Sequence, residues 1–223
     1  FITNGSIAYL AVVWAKLDGA VRGFLIEKGT PGFETHQMKD KLSLRASDTA
    51  ELFFNDVRIP AENILPGTLE RDKAYLLCLN EARYGIAWGT VGAAGFCAET
   101  ALDYVSNRGL FGGKLSSKQL TQQKLVWMDE VIESAQRRAL DMARLKEADQ
   151  LLPRDVSRGK MANVDMACDV ARLARRMLGA NGIMAEYGVM RHMCNLESVY
   201  TYEGTDDIHM LAIGRAITGE NAF

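Results

Sequence analysis

The feature of this sequence most able to do chemistry is a carboxylate set between a tyrosine and a glycine, just ahead of a helix start. The segment reads Val199-Tyr200-Thr201-Tyr202-Glu203-Gly204-Thr205-Asp206-Asp207-Ile208-His209. Thr205 suits an N-cap, and Asp206 and Asp207 suit a first turn, where acidic side chains complement the helix dipole. Glu203 stands just outside that cap. An arbitrary Glu there is one more acid at a helix start. The neighbours Val199, Tyr200 and Tyr202 offer a second reading, because apolar and aromatic surroundings desolvate a carboxylate and turn it into a useful general base. Asn80 and Arg83 lie three apart, hence on one helix face; taken alone they make a polar stripe on a solvated helix. His36, His192 and His209 lack metal-ligand spacing and read as surface or structural residues, so no metal site is expected. Cys78, Cys97, Cys168 and Cys194 contain no Cys-x-x-Cys pair. Three of them sit among apolar or small neighbours, which implies a reducing compartment with neither a zinc site nor a disulfide framework.

These residues need elements to position them. Residues 1–66 read as β structure. Tyr9 to Ala15 and Val21 to Glu27 are rich in strand formers, and Asp18-Gly19 between them signals a hairpin, since Gly tolerates the positive φ of a tight primed turn. A further strand is expected from Ala50 to Phe54. Pro60 and Pro66-Gly67 punctuate the end of this region. Beyond it the spacing turns helical, with a first long helix from about residue 70 to near 107. Gly85, Gly89, Gly92 and Gly95 share one face of it, and tight helix packing is the ordinary explanation. Residues 107–113 read as a loop. Leu125, Met128, Ile132, Ala135, Ala139 and Met142 mark a second helix. Pro153 opens a third, with Met161, Val164, Cys168, Ala171 and Leu178 as its apolar stripe and Gly179 as its stop. A shorter helix follows Gly204. The methionines in these stripes are core filler. The fold class is therefore α+β: a partial β-barrel or sandwich over residues 1–66, then an antiparallel helical bundle over 67–223.

The bulk numbers agree with an ordinary globular protein. The 223 residues are 48% hydrophobic and 24% charged, with a net charge of -2; this suits one large domain or two small ones. Lys and Arg are scattered, so no basic surface points to nucleic acid. No apolar run approaches the ~20 residues of a membrane span. Phe1-Ile2-Thr3-Asn4-Gly5 reads as the middle of a domain, and further residues are expected upstream.

Tyr202-Glu203-Gly204-Thr205 before a polar helix start resembles the signature of the acyl-CoA dehydrogenase family, and the resemblance extends over the whole chain. Ile2-Thr3-Asn4-Gly5 is similar to the family's flavin-facing strand. Phe54-Asn55-Asp56-Val57-Arg58-Ile59-Pro60, through Pro66-Gly67, matches its link from β domain to helical domain. Asn80-Glu81-Ala82-Arg83-Tyr84-Gly85-Ile86-Ala87-Trp88-Gly89 resembles the glutaryl-CoA dehydrogenase branch in particular. So do Leu178-Gly179-Ala180-Asn181-Gly182-Ile183, Met190-Arg191-His192 and Gly214-Arg215-Ala216-Ile217-Thr218-Gly219.

That resemblance implies a set of roles. Glu203 would remove the α-proton of an acyl-CoA thioester while the β-hydrogen leaves as hydride to FAD. The thioester carbonyl would be held by the Glu203 amide and a flavin ribityl hydroxyl. Gly204 would leave room for substrate, and Asn80 and Arg83 would face the CoA chain. Thr3, Gln119, Thr205 and Asp207 would contact FAD, as would the adenine loop Arg176, Met177, Leu178, Gly179 and Ala180. Arg108, followed by the aromatic Phe111, would reach the FAD pyrophosphate of a neighbouring subunit. Four positions depart from the pattern. Leu110 replaces a Gln or Thr, Ala180 a glycine, Phe1 a Trp whose indole donor is lost, and Asp206 a His.

The implied activity is oxidative decarboxylation of glutaryl-CoA to crotonyl-CoA, in lysine and tryptophan degradation, by a homotetramer that passes electrons to electron-transfer flavoprotein. The location would be the cytoplasm of a bacterium or the mitochondrial matrix of a eukaryote. Dehydrogenation of another short acyl-CoA is the alternative activity, and a truncated, non-catalytic assembly module the alternative from another class. The family's first helical domain, which in this branch carries the arginine for the substrate's distal carboxylate, would precede Phe1.

Overall fold

A computed structural model describes residues 1–71 and 73–221. The chain divides into two compact units, with the boundary after Leu79.

In the first unit, β1 (Ile2–Thr3), β4 (Phe33–Gln37) and β5 (Thr49–Phe54) form an antiparallel sheet in the order β1-β5-β4, while β2 (Leu10–Leu17) and β3 (Ala20–Glu27) form a separate antiparallel pair. The expected partial barrel or sandwich is present as two separate antiparallel sheets, with no closed barrel among the described residues. The β2–β3 hairpin is the one that Asp18-Gly19 predicts. Leu17 pairs with Ala20, and the two turn residues both have positive φ, 49° and 83°, as a type I′ turn requires. Phe33 faces Phe54 across β4 and β5, and their rings stack at 5.0 Å, a cross-strand pair that favours this register. Gly23, inside β3, is there for space: a Cβ would come within 2.8 Å of Leu65. The Gly23 N–H instead donates to the hydroxyl of buried Thr68 at 3.2 Å, on the short helix α1 (Gly67–Glu70).

The long helix α2 (Tyr75–Asn107) begins five residues later than the spacing suggests. Arg71 is extended and Lys73 has a φ of 65°, and neither conformation continues a helix. The second unit contains most of α2, then the hairpin β6 (Gly109–Leu110) and β7 (Gly113–Lys114), then α3 (Gln119–Glu147), α4 (Pro153–Met177), α5 (Val189–Thr201) and α6 (Asp206–Thr218). Two differences from the sequence reading stand out. The expected loop at 107–113 is a two-strand hairpin, turned at Phe111 and Gly112 with φ of 53° and 75°. A helix, α5, occupies 189–201, where the sequence offered no cap: it starts from Gly188 in the left-handed region.

Pro153 does open α4, and the Asp155 carboxylate accepts the Leu152 N–H at 3.3 Å. Gly179, with a φ of 60°, follows its end. The core lies among α2, α3, α4 and α5. Cys97, Ala101, Val105, Met128, Ala135, Val170, Ala174 and Leu196 meet there. The buried face of α4 is wider than the apolar stripe read from sequence, because it also takes in Lys160 and Asn163. Asn163 bridges helices, donating to the carbonyls of Ala87 at 2.8 Å and Ala135 at 3.2 Å and accepting from Arg138 at 2.6 Å. A buried amide satisfied in this way holds α2, α3 and α4 in one arrangement. Within this chain, a Cβ at Gly85, Gly89, Gly92 or Gly95 would meet nothing within 4 Å, so no described helix packs tightly on that glycine face of α2. No described helix is long and apolar enough to cross a membrane.

Candidate active site

The turn between α5 and α6 is short. The Tyr202 N–H donates to Ser198 O at 2.9 Å and closes α5; Asp206 begins α6. Between them Glu203 has a φ of 56° and Gly204 a φ of 96°. A glycine takes such values freely, whereas for a glutamate they are uncommon and cost about 1–2 kcal/mol.

Two cations hold this turn, and both bind its backbone. Lys160, from α4, donates from Nζ to Tyr200 O at 3.0 Å and to Gly204 O at 2.8 Å. Arg83, from α2, donates from Nε to Glu203 O at 2.7 Å. Lys160 is only 1% exposed. Burial pulls its pKa below the usual lysine value and Arg83 adds to that, while Asp206, Asp165 and, less strongly, Cys168 oppose it.

A third basic group faces the same turn. His209, from the first turns of α6, is 1% exposed, and its imidazole lies 3.0 Å from where a Cβ on Gly204 would stand. Its pKa is pushed down to about 4 by burial first, then by Lys160 and Arg83; the carbonyls of Glu203 and Gly204 pull weakly the other way. The imidazole is therefore neutral at pH 7, and its Nε2 makes no hydrogen bond among the described residues.

Glu203 Oε2 is likewise buried without a hydrogen-bond partner. Both cations that come near this residue are spent on carbonyls. A carboxylate kept free of ion pairs remains available to take a proton. The phenol of Tyr202 is pushed up by burial and then by the nearby Glu203 charge. Tyr202 also lines a largely apolar slot of about 220 Å³, with Ile86, Gly89, Thr90, His192, Leu196 and Val199 from α2 and α5. A larger groove of about 470 Å³ lies between α2 and α3 beside Glu99 and Asp129, away from the turn. The arrangement suits a carboxylate base next to an apolar compartment, on a backbone that side chains from three helices surround.

Comparison with known proteins places this geometry. Residues 73–218 match the acyl-CoA dehydrogenase C-terminal domain, and residues 1–57 match the acyl-CoA dehydrogenase middle domain. This chain belongs to the acyl-CoA dehydrogenase family. Glutaryl-CoA dehydrogenase from Mycobacterium smegmatis superposes with a TM-score of 0.95 at 50% identity, over 99% of this chain and 57% of that one. A glutaryl-CoA dehydrogenase from the same organism, in complex with FADH2, gives 0.95 at 45% identity with the same coverage. The short-chain-specific acyl-CoA dehydrogenase of Megasphaera elsdenii is 32% identical over 97% of this chain and 58% of its own length. The chain thus spans a little under three-fifths of these relatives.

Within this acyl-CoA dehydrogenase fold the site residues expected from sequence fall into groups. Glu203, Gly204 and Arg83 come together as described, although Arg83 Nε is committed to the Glu203 carbonyl. Asn80 is half-buried one turn before Arg83 on α2. Thr205 takes the N-cap position of α6, but its side chain makes no cap hydrogen bond, and Asp207 in the first turn is exposed. A second group surrounds the β6–β7 hairpin. Arg108 is exposed at its base, Phe111 is 80% exposed at its tip, and Lys118, next to Gln119 at the start of α3, donates to Phe111 O at 2.9 Å. A third lies at the end of α4. Arg176, Gly179 and Ala180 are exposed, while Met177 and Leu178 are core residues, so only their backbone can face a ligand. Thr3, in the first unit, is exposed on β1.

Sequence reading missed Lys160 and the inward position of His209. One signal was present for Lys160: the residue falls in register with Val156, Val164, Ala167 and Ala171, the inward face of α4. A lysine on an apolar face needs a partner inside. Neither Cys97 nor the half-buried Cys168 is set up as a thiolate. Burial pushes Cys97 up to about 12, and burial with nearby acids pushes Cys168 up to about 11, far from a reactive thiolate.

Proposed function

We propose that this chain carries the base and part of the FAD site of an acyl-CoA dehydrogenase that oxidises glutaryl-CoA and decarboxylates the product to crotonyl-CoA. The observation that carries the reading is the Glu203 carboxylate, buried at Oε2 without a partner while both nearby cations bind backbone carbonyls. The 50% identity to a glutaryl-CoA dehydrogenase over nearly the whole chain supports the substrate. The match to short-chain-specific enzymes at about one-third identity favours a second reading, a short saturated acyl-CoA.

The chain's own donors suit FAD. A diphosphate calls for a cation, and Arg108 is exposed; a flanking ring or ribose calls for aromatic and amide contact, and Phe111 and Gln119 are exposed beside it. The Thr205 hydroxyl, not used for capping, is a further donor. Arg176, Thr3, Asp207 and the backbone of Met177, Leu178, Gly179 and Ala180 complete the proposed contacts. FAD, when bound, supplies the two-electron oxidant that takes the β-hydrogen as hydride.

The protein's part is proton transfer and orientation. Glu203 takes the α-proton. Its own N–H, which has no backbone acceptor among the described residues, would donate to the thioester oxygen and stabilise the charge that develops there. A side chain at Gly204 would meet His209 and Arg83, so its proposed contact with the thioester is through the backbone, and Asn80 lies on the face proposed for the CoA chain. With a glutaryl chain, the distal carboxylate would then leave as CO2, its bonding electrons passing into a dienolate, and the proton held by Glu203 would return to the γ-carbon to give crotonyl-CoA. An acceptor flavoprotein of the electron-transfer type would reoxidise the enzyme, and Arg108 would serve a cofactor in a neighbouring copy of a tetramer.

Anaerobic mixing of the flavin-loaded protein with glutaryl-CoA or butyryl-CoA tests this. Flavin bleaching with glutaryl-CoA and release of CO2 are expected; bleaching by butyryl-CoA alone would establish the second reading. Colourless protein that takes up no FAD would reduce the chain to a non-catalytic module. Glu203→Gln keeps the shape and removes the base, so bleaching should slow by about 10²–10⁴-fold with FAD retained; bleaching at the parent rate would make Glu203 a mere cap-region acid.

A further inference from the structure

We infer that Lys160 is a positioning residue for the base: its ammonium ties the two ends of the α5–α6 turn together and so fixes where the Glu203 carboxylate and amide point. This rests on the proposed role of Glu203.

The first argument is cost. Taking an ammonium out of water costs several kcal/mol unless it is well paired. Lys160 is 1% exposed, and among the described residues no carboxylate lies within salt-bridge distance of its Nζ. Packing α4 into the core would be served as well by methionine or leucine. The cation instead spends its bonds on Tyr200 O and Gly204 O. The second argument is placement. Tyr200 sits in the last turn of α5, where helix carbonyls have no partner within the helix; Gly204 lies just past the base. One ammonium therefore bridges both sides of Glu203, and Arg83 holds the carbonyl between them. The third is strain. Glu203 and Gly204 both keep positive φ with no strand pairing around them, and such a conformation persists only where its surroundings over-determine it. Lys160 touches neither carboxylate oxygen of Glu203, so its action passes through the backbone.

The test compares Lys160→Met and Lys160→Gln with the parent, all loaded with FAD. Four quantities are read: flavin bleaching at saturating acyl-CoA, acyl-CoA affinity from the shift of the flavin spectrum, FAD content and melting temperature. Bleaching should slow by about 10²-fold in Lys160→Met, the scale on which misplacement of a reacting group by about 1 Å acts, with acyl-CoA affinity and FAD content unchanged. Lys160→Gln, which keeps an uncharged NH2 donor group on a shorter side chain, should fall between. Bleaching at the parent rate overturns the inference. So does a loss of rate matched by loss of FAD or acyl-CoA binding, or failure of both variants to fold with flavin, because each assigns Lys160 to general stability. A parent that no acyl-CoA bleaches is a different outcome, and it overturns the proposed function itself.

Discussion

Phe111 and Gly112 in one turn, and Glu203 and Gly204 in another, each place a side-chain-bearing residue and then a glycine in the left-handed region, with φ of 53° and 75° in the first and 56° and 96° in the second. The backbone device is shared; what holds it is not. The first turn joins two short strands that pair beside it, its one side-chain contact is the nearby, sequence-local Lys118 on the Phe111 carbonyl, its tip is exposed, and a Cβ on Gly112 would meet nothing within 4 Å. The second joins two helices. Its carbonyls are bound by Lys160 and Arg83, and a Cβ on Gly204 would press on His209. The Asp18-Gly19 turn of β2 and β3 belongs with the first kind. A turn closed by its own strands can be altered at its tip at small cost. A turn held by distant side chains conveys any change to the residue it presents.

The largest effect is expected where the comparison is sharpest. Gly204→Ala combines left-handed strain with overpacking against His209 and should destabilise the protein by about 3 kcal/mol in urea unfolding, with flavin bleaching by acyl-CoA lost as well. An alanine variant as stable and as fast as the parent would mean that the two turns are equivalent after all.

The next effect is set by pH. His209 has a folded pKa of about 4 against an ordinary 6.5, so the unfolded chain binds the proton more readily. Its contribution to stability is present above pH 6.5 and is lost as pH falls through about 4. The difference amounts to up to about 3 kcal/mol. The parent should therefore lose more stability than His209→Gln between those limits. Parallel acid profiles for the two proteins would show that the imidazole under Gly204 is not desolvated.

The exposed turns should respond least. Gly19→Ala should cost about 1 kcal/mol, the penalty for a Cβ at positive φ, and leave flavin bleaching alone. Phe111→Asn should change stability by less than about 0.5 kcal/mol, because Asn tolerates this region, yet weaken FAD retention if the ring contacts the cofactor. A Phe111→Asn variant that holds FAD like the parent would remove this hairpin from the proposed site.

Local features of the fold were legible where one residue type answers one backbone demand. Asp18-Gly19 announced a hairpin, Pro153 a first turn, Gly179 a stop, and Met128, Ala135, Ala139 and Met142 the inward face of α3. The helix at 189–201 escaped notice because only Val189 and Leu196 in it are buried and its N-terminus has no side-chain cap. The start of α2 was misplaced because Glu70 and Arg71 are good helix formers whose neighbours override propensity. In the site, the position of Glu203 before a helix and the need for Gly204 were both visible in the chain. The commitment of Arg83 to a backbone carbonyl was not.

The sequence by itself set Glu203, the proposed base, beside Gly204 and just ahead of a helix start, because these depend on residues within a few positions of each other. Only the tertiary structure decided which groups hold that base in place. Arg83 lies 120 residues from Glu203 along the chain, and Lys160 lies 44 from Gly204. Spacing can put a lysine on the inward face of a helix, but not say which carbonyl it will meet. That partner is set by how α2, α4, α5 and α6 pack, and the core residues, with the Asn163 bridge from α4 to α2 and α3, fix that packing.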